Sequence, residues 1–299
     1  MALNLHAIRA ATRQQKFLKL LISGSTGTGK TFGSLLIAKG LTKNGRVLAL
    51  DTENGRMDLK EGHPLFGGWG WERLVTDPDA VTSADYTDFL KYAVKEKYDA
   101  VILDSITHEW EYILNQWGKL GGKWGVAYNK AFEPHKAFVK SLLNSNIHII
   151  CTARAEMATE QQTNAEGKKE VVTLGLKEQQ HKNLSYEFDF HLRILDREHN
   201  CSAEKSEGGL FEDIFTVTEK TGEQLMDFLS VGESLEDVKK RDCLSRINAL
   251  HDQLVGLGLR TEPEIDRQRE NLKKVDLADI LDYGKQIKAE IDAAIVEEV

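Results

Sequence analysis

The stretch Gly24-Ser25-Thr26-Gly27-Thr28-Gly29-Lys30-Thr31 matches the pattern G-x-x-x-x-G-K-[ST] at every required position. An apolar run at 17–22 precedes it and is typical of a strand, and apolar residues at helical spacing follow it. In that context the glycines let backbone N–H groups turn inward around a phosphate, Lys30 reaches the β- and γ-oxygens, and the Thr31 hydroxyl can bind Mg²⁺. The stretch therefore predicts a phosphate-binding loop for a nucleoside triphosphate. A chance match in a glycine-rich loop is the alternative, and the flanking strand and helix patterns argue against it.

The composition is typical of a soluble globular protein. The chain has 299 residues, of which 41% are apolar and 29% charged, enough for one substantial core and a small second unit. No apolar stretch has the length of a membrane span and the N-terminus lacks a signal-peptide pattern, so we expect a cytoplasmic protein without membrane contact. Cys151, Cys201 and Cys243 are widely spaced, which favours neither a disulfide framework nor a zinc site. The net charge of −8 excludes binding of nucleic acid by bulk charge, so any such contact needs a local patch.

Short β-branched and apolar runs alternate with helical patterns before residue 230. This alternation predicts an α/β fold with a mostly parallel central sheet that is covered by helices. The predicted strands are 17–23, 46–50, 73–76, 100–103, 147–152, 188–195 and 214–217. The predicted helices are 31–41, 83–95, 106–117, 128–143 and 221–229. Because no helical pattern separates the last two strands, we expect them to pair as a hairpin.

A second, all-helical unit is predicted at the C-terminus. We place the boundary at Val231-Gly232, which divides the chain into a core at 1–232 and a helical appendage at 233–299. Two charged segments with helical spacing, 234–257 and 262–294, follow the boundary. The appendage holds 16 acidic and 11 basic residues, a net charge of −5. It is either a solvated surface cap or an arm that binds a partner such as a single-strand-binding or replication protein.

Two carboxylates follow predicted strands and are candidates for the chemistry of a triphosphate site. Asp104 ends the run 100–103, where a carboxylate can hold Mg²⁺ through water, although it could also be a helix N-cap. A glutamate directly after Asp104 could activate the attacking water, but Ser105 occupies that position. The water-activating carboxylate therefore has to come from elsewhere. Glu53 follows the strand at 46–50, and the carboxyl ends of neighbouring parallel strands line one crevice. Glu53 could instead be an ordinary turn residue before Asn54-Gly55.

With these residues in this order, the chain resembles the RecA/RadA class of P-loop ATPases over about 17–229. The resemblance implies a RecA-like P-loop NTPase core that uses ATP and Mg²⁺, with Thr31 and Asp104 at the metal. It also implies that Glu53 is the general base and that Arg154, in Thr152-Ala153-Arg154, senses the γ-phosphate. Arg154 differs from the neutral residue often found there in this class, and it could be a surface residue or a contact to phosphate or DNA.

A narrower resemblance rests on Val101–Thr107 with Trp110, on Ser185–Asp189 and on Thr218–Gly222. These stretches look like those of phage-encoded RecA-like ATP-binding proteins, some of which belong to the fourth Sak group of single-strand annealing proteins. The resemblance implies work as a ring or filament, inside the host cytoplasm if the chain is phage-encoded. Lys205 lies near the place where this class has a basic residue that reaches the ATP of the next subunit, although it could be a surface lysine.

The segment 117–140 is the best local candidate for contact with single-stranded DNA. Lys119, Lys123 and Lys130 occur there with Trp124 and Tyr128, and lysines that follow phosphates beside aromatic rings that stack bases suit sequence-tolerant strand binding. By the resemblance, the segment corresponds to the first DNA-contacting loop. The alternative is that the aromatic residues pack a helix against the sheet, which we favour for Phe132 and Phe138 in the same segment and leave open for Trp124.

The segment 155–184 is polar and has no firm periodic pattern, so it is predicted to be a long loop that is either functional or disordered. By the resemblance it corresponds to the second DNA loop, with Lys168 and Lys169 as weak phosphate contacts. A β-hairpin through 170–174 that serves assembly is the alternative.

The leading hypothesis is a RecA-like ATPase that binds single-stranded DNA as a homo-oligomer in recombination or single-strand annealing. The alternative is an ATP-driven protein remodeller such as a helicase loader, whose acidic helical tail grips a protein and whose core does not touch DNA. A small-molecule kinase is a third hypothesis, and no Arg-rich lid supports it.

Overall fold

A computed structural model describes residues 11–120, 124–163, 169–211 and 214–297. Within these ranges, the side chains at 124, 125, 127, 160–174 and 295–297 are not described. The described chain forms two compact units, a core unit at 17–229 and a helical unit made of 11–16 and 230–297. The predicted domain boundary between 232 and 233 stays a prediction.

The core unit is built on a mixed sheet that is parallel through most of its width. Along the sheet the order is β3-β2-β4-β5-β1-β7-β8-β9, and every neighbouring pair from β3 to β7 is parallel. The strands are β1 (Lys19–Gly24), β2 (Val47–Asp51), β3 (Glu72–Val75), β4 (Ala100–Asp104), β5 (His148–Thr163), β6 (Lys169–Glu178), β7 (Phe190–Ile194), β8 (Asn200–Ser206) and β9 (Phe215–Thr216). The core helices are α1 (Lys30–Thr42), α2 (Ser83–Lys95), α3 (Thr107–Lys119), α4 (Trp124–Asn144), α5 (Leu184–Glu187) and α6 (Glu219–Leu229).

Both faces of the sheet are buried. Successive residues of β1 point to opposite faces, so Leu20 joins one apolar cluster and Leu21 the other. The first cluster packs beneath α1 and α6, and the second beneath α2 and α4. This burial explains why the central strands are near-continuous apolar runs, and it confirms the predicted α/β fold with a mostly parallel sheet.

The helix α2 shows why some predicted boundaries are accurate. Asp85 N donates to Thr82 Oγ1, and the Asp85 carboxylate accepts from Thr82 N, which is a reciprocal capping box. The helix spans Ser83–Lys95, as the sequence predicts.

Two predictions for the second half of the core unit are wrong. The segment 155–184 is not a long irregular loop, because β5 continues to Thr163 and pairs antiparallel with β6. The two strands therefore form a β-hairpin, as the alternative prediction has it; residues 164–168, between them in sequence, lie outside the described residues. The predicted strands 188–195 and 214–217 do not pair with each other, because β8 lies between β7 and β9 and is antiparallel to both.

The helical unit has a hydrophobic core of its own. Its helices are α7 (Leu235–Gly256), α8 (Glu262–Leu272) and α9 (Leu277–Glu297), which confirms the predicted helical C-terminus. Ile247, Ile265 and Ile287 are among the residues buried in that core. The single segment predicted at 262–294 is divided, since α8 ends at Leu272 and the Asp276 carboxylate accepts from Asp279 N at the start of α9. Among the described residues, no helix is long and apolar enough to cross a membrane.

Candidate active site

The predicted phosphate loop connects β1 to α1. Gly27 and Gly29 have φ angles of 81° and 97°, in the left-handed region that favours glycine. The loop winds around the Lys30 ammonium group, which donates to the carbonyl oxygens of Gly24 and Ser25 at 3.0 and 2.9 Å. Burial lowers the pKa of Lys30, and the charges of Asp104 and Glu53 oppose that shift. The lysine is thus held at the centre of the loop, next to the N-terminus of α1.

That helix N-terminus suits an anion. The N-cap of α1 is Gly29, which makes no side-chain cap, and the first turn holds no acidic residue. Backbone N–H groups at a helix start and the positive end of the helix dipole favour a phosphate at this position.

The predicted magnesium residues meet across the sheet. Thr31 Oγ1 donates to Asp104 Oδ2 at 2.6 Å, and the Thr152 hydroxyl donates to Asp104 Oδ1. Asp104 is 2% exposed, and its burial raises the pKa of the carboxyl group even though both hydroxyls oppose this shift. A buried carboxylate beside a threonine hydroxyl is a set of hard oxygen donors that fits Mg²⁺. The geometry brings Thr31 and Asp104 together as the sequence predicts.

The predicted base and sensor are in direct contact. Arg154 Nε and one Nη donate to Glu53 Oε1 at 3.0 and 2.8 Å, and Arg56 lies 3.5 Å from Glu53 Oε2. The Glu53 side chain is 11% exposed and that of Arg154 33%. Glu53 is therefore more than a turn residue, and Arg154 is a partner of the carboxylate rather than an unattached surface arginine.

Asp51 is the residue that forms the turn carrying Glu53. Asp51 is fully buried, and its carboxylate accepts from the backbone N–H groups of Glu53, Gly55 and Met57. A carboxylate that accepts bonds from residues just after it fixes a tight turn. The turn therefore places the Glu53 side chain at the carboxyl end of β2, next to β4.

Ser105 occupies the position after Asp104 where a glutamate could have been the base, and its backbone N–H and carbonyl groups are held by neighbouring side chains. The Asp104–Ser105 peptide is cis, Ser105 N donates to Thr52 Oγ1 at 2.9 Å, and the Tyr86 hydroxyl donates to Ser105 O at 2.6 Å. His108 Nδ1 lies 2.6 Å from Thr52 Oγ1. Ser105 and Thr52 thus fasten the end of β4 to the end of β2.

One cavity of about 480 Å³, a size common for ligand sites, is lined by the residues predicted for the chemistry: Lys30, Thr31, Glu53, Asp104 and Arg154. Seven of its wall residues were not predicted from the sequence: Phe32, Arg56, Leu59, Lys60, His63, Arg197 and His199. The Phe32 ring lies 4.9 Å from both His63 and His199, measured between ring centroids. A Cβ atom at Gly29 would lie 2.3 Å from His199 Nε2, so this histidine packs directly on the phosphate loop. The cavity is lined by Thr26, Gly27, Gly29, Lys30, Thr31, Phe32, Glu53, Arg56, Leu59, Lys60, His63, Asp104, Arg154, Arg197 and His199.

Lys205 is not among the residues that line this cavity. It lies on β8, and its ammonium group donates to the carbonyl oxygens of Tyr186 and Phe188 at 3.0 and 2.6 Å. In its own chain the side chain therefore holds the end of α5, and its role toward a neighbouring subunit stays a prediction.

The residues predicted to bind single-stranded DNA lie in two segments of the chain, 119–130 and 168–169. Lys119 ends α3 and Lys130 lies on α4, and both are exposed. Tyr128 stacks on Phe132 with ring centroids 4.0 Å apart and meets Trp117 edge-on, so it belongs to an aromatic cluster of the helices. Phe132 and Phe138 are buried, as favoured from the sequence. Lys123 and Lys168 lie outside the described residues, and Trp124 and Lys169 are described only by their backbone.

The model of the family AAA_24, described as "AAA domain", matches residues 16–230, which includes the whole core unit. Among solved structures, the crystal structure of the RadB recombinase is 14% identical, with a TM-score of 0.36, and the match covers 69% of this chain and 90% of that chain. The flagellar accessory protein FlaH from Methanocaldococcus jannaschii is 13% identical, with a TM-score of 0.34, and the match covers 64% of this chain and 80% of that chain. No curated protein matches the sequence.

The family match covers the phosphate loop, Glu53, Asp104 and Arg154 together. It agrees with the predicted RecA-like P-loop ATPase core, while the narrower resemblance to the fourth Sak group stays a prediction. With its phosphate loop, its parallel sheet and a matching region that spans the core unit, the chain belongs to the AAA_24 family of AAA domains.

Proposed function

We propose that this chain hydrolyses ATP with Mg²⁺ and, as a homo-oligomer, binds single-stranded DNA in recombination or strand annealing. The observation that carries the ATPase part is the meeting of Lys30, Thr31, Asp104 and Glu53 at one cavity. Phosphoryl transfer needs positioning and charge stabilisation more than covalent chemistry, and these residue types supply both.

The position of each residue in the cavity indicates its role in ATP binding or hydrolysis. Lys30 and the N–H groups at the start of α1 bind the phosphates. The Thr31 hydroxyl and the Asp104 carboxylate would hold Mg²⁺, which would neutralise charge on the phosphate oxygens. Glu53 is the carboxylate that orients the attacking water and accepts its proton. Arg154 can bind either Glu53 or an anionic phosphate, so it links the base to the presence of the γ-phosphate.

The strand-binding part rests on the surface of α3 and α4. Lys119 and Lys130 are exposed cations in a region where aromatic residues are dense, and such surfaces suit a flexible nucleic acid strand. The proposal includes Lys123 and Trp124 in the same segment, and Lys168 and Lys169 in the second predicted DNA loop. Because the whole chain is acidic, we expect this contact to be local and sensitive to salt.

One observation favours the rival function, an ATP-driven protein remodeller. Tyr128 is engaged by Phe132 and Trp117 within the chain, which leaves fewer aromatic faces for bases. The acidic helical unit, with its own core, would then be the part that binds a protein partner.

ATP hydrolysis by the purified protein, with and without single-stranded DNA over a salt series, tests the proposal. We expect hydrolysis that needs Mg²⁺, is stimulated by DNA and is abolished in Lys30→Ala. Unchanged hydrolysis in Lys30→Ala would remove the ATPase claim. Hydrolysis indifferent to DNA, with no strand binding at low salt, would favour the remodeller, and deletion of the helical unit should then end partner recruitment.

A further inference from the structure

A buried polar cluster lies beside the phosphate loop and takes no part in the proposed chemistry. His191 Nε2 on β7 lies 2.8 Å from Ser23 Oγ on β1 and 3.4 Å from Glu178 Oε1 on β6. Ser23 is 0% exposed and His191 5%, whereas the neighbouring positions of these strands are apolar core residues. Burying polar groups in a sheet costs free energy unless each is well paired, so the cluster calls for an explanation.

Arg193 completes the cluster on the same strand. It donates to Glu178 Oε1 at 2.8 Å through one Nη, and its other Nη lies 3.2 Å from Glu204 Oε2 on β8. Burial raises the pKa of Glu178, but hydrogen bonds from His191 and Arg193 outweigh it and hold that pKa well below its usual range. Glu178 is therefore an anion that accepts a hydrogen bond from Arg193 and lies 3.4 Å from the His191 ring.

The two ends of this cluster lie next to the phosphate loop and at the base of the β5–β6 hairpin. Ser23 directly precedes Gly24, the first residue of the phosphate loop, and Glu178 is the last residue of β6, where the hairpin returns to the sheet. The other strand of the hairpin leaves the sheet at Arg154, the partner of Glu53. Gln179 N donates to Arg154 O at 2.8 Å, so the two strands are joined at their base. One strand of the hairpin thus starts at a residue of the site, and the other ends at a residue that is linked through His191 to the strand before the phosphate loop.

We propose that Glu178 is a positioning residue that, through His191 and Ser23, couples the position of the β5–β6 hairpin to the conformation of the phosphate loop. The inference rests on the proposed ATP site, and it adds a second connection to the one through Arg154. A triphosphate that draws Lys30 and the loop glycines toward its phosphates acts on Ser23 through the chain. Ser23 holds His191, and His191 and Arg193 hold Glu178, so the base of the hairpin shifts with the loop. A ligand that binds the hairpin acts on the loop by the same contacts, because coupling between two sites is reciprocal.

A purely structural ion-pair cluster is the competing explanation, and the chain offers a matched control for it. Glu178 and Glu204 are both carboxylates bound to Arg193, but only Glu178 belongs to the hairpin and contacts His191. Glu178→Gln and Glu204→Gln therefore remove one charge each from the same arginine. If the cluster only stabilises the sheet, the two variants should behave alike.

Hydrogen exchange of the hairpin amides at 155–163 and 169–178 provides the test, with and without a non-hydrolysable ATP analogue and Mg²⁺. Binding of the analogue is measured separately by calorimetry, and the free energy of unfolding by urea. We expect the analogue to slow hairpin exchange about tenfold in the native protein and in Glu204→Gln, a ratio within the usual range of coupling between sites. In Glu178→Gln we expect binding to persist and the exchange ratio to fall close to one.

The outcomes separate this inference from the proposed function. Absence of analogue binding to the native protein would overturn the proposed ATP site. Binding without any change of hairpin exchange, or an equal change in Glu178→Gln and the native protein, would overturn the coupling and leave the ATP site standing. An equal loss of the ratio in both glutamine variants would assign the cluster a structural role only.

Discussion

Arg154 donates two hydrogen bonds to a single oxygen of Glu53, from Nε at 3.0 Å and from Nη at 2.8 Å. Glu53 follows the carboxyl end of β2, and Arg154 lies where β5 stops pairing with β1, so the contact crosses the mouth of the proposed site. While Arg154 donates to Glu53 Oε1, that oxygen is less available to an attacking water. A γ-phosphate is also an anion and competes for the same guanidinium, so triphosphate binding and exposure of the base are expected to go together.

Replacement of Glu53 by Gln tests its role as base. The amide keeps the size of the side chain but cannot accept a proton, so we expect kcat for ATP hydrolysis to fall by about 10²- to 10⁴-fold. The Kd for ATP should not rise, because ground-state phosphate contacts come from Lys30 and the loop, and Arg154 is then freer to bind the γ-phosphate. Glu61→Gln, at an exposed glutamate nearby, is the control and should hydrolyse ATP normally. A kcat for Glu53→Gln equal to that of the native protein would exclude Glu53 as the base.

Asp104→Asn should separate stability from function. Burial raises the folded-state pKa of Asp104, so the folded protein binds this proton more tightly than the unfolded chain does. That difference lowers stability as pH rises from the unfolded pKa through the folded pKa, and the penalty is fully present above the folded pKa. Removing the charge should therefore raise the Tm at pH 8 in the absence of Mg²⁺, while Mg²⁺-dependent hydrolysis is lost. Calorimetry and a hydrolysis assay on the same preparation check both parts; a lowered Tm would show that the carboxylate is stabilising there.

The phosphate loop and the two carboxylates were predictable because their signals are local. The loop motif specifies backbone conformation within a few residues, and Asp104 follows a continuous apolar run that only a buried strand explains. The helix α2 was predictable because Thr82 and Asp85 cap it directly.

The remaining strands and cavity residues depend on contacts between residues that are distant in sequence, so they were not predictable from local patterns. The strand β8 has the polar sequence Asn-Cys-Ser-Ala-Glu-Lys-Ser and is a strand because β7 and β9 pair with it. Arg197 and His199 reach the cavity only because of the turn that joins β7 to β8. The hairpin likewise depends on pairing, because the part of β5 beyond Arg154 is mostly polar and is a strand where it pairs with β6.

Because α1 and α6 are in close contact, replacing a glycine at this contact by a larger residue is predicted to lower the stability of the fold. A Cβ atom at Gly222 would lie 2.1 Å from Ile37 O, and one at Gly40 would lie 1.9 Å from Glu219 O. Gly222→Ala should therefore lower the free energy of unfolding by about 1–3 kcal/mol. Gly118→Ala in α3 is the control, since no heavy atom lies within 4 Å of its Cβ position, and it should be neutral or stabilising by up to about 1 kcal/mol.

Urea unfolding followed by tryptophan fluorescence measures this effect in the core unit alone, since all five tryptophans lie before residue 125. Equal unfolding midpoints for Gly222→Ala and Gly118→Ala would contradict the tight packing of α1 against α6.

The partly buried His148 predicts a loss of stability in mild acid. Its Nδ1 accepts from Leu18 N at 3.0 Å, and burial together with the charge of Lys19 lowers its pKa to about 4. The unfolded chain takes up this proton near pH 6.5 and the folded chain near pH 4, so stability falls as pH decreases through that window. The full contribution is about 3 kcal/mol. His148→Gln retains an acceptor without the titration, and its unfolding free energy should depend less on pH between 6.5 and 4; an identical dependence would show that His148 does not cause it.

Salt dependence provides the sharpest test of the proposed strand site. Each phosphate contact to single-stranded DNA contributes about −0.7 to the slope of log affinity against log salt. The double variant Lys119→Ala, Lys130→Ala should therefore bind a labelled oligonucleotide more weakly and with a slope about 1.4 smaller in magnitude, as fluorescence anisotropy from low to moderate salt can measure. Lys273→Ala with Lys274→Ala makes the same charge change at exposed lysines of the helical unit and should leave the slope unchanged. If both double variants lose the same amount, the contact is a general charge effect; if neither loses any, the strand does not follow α3 and α4.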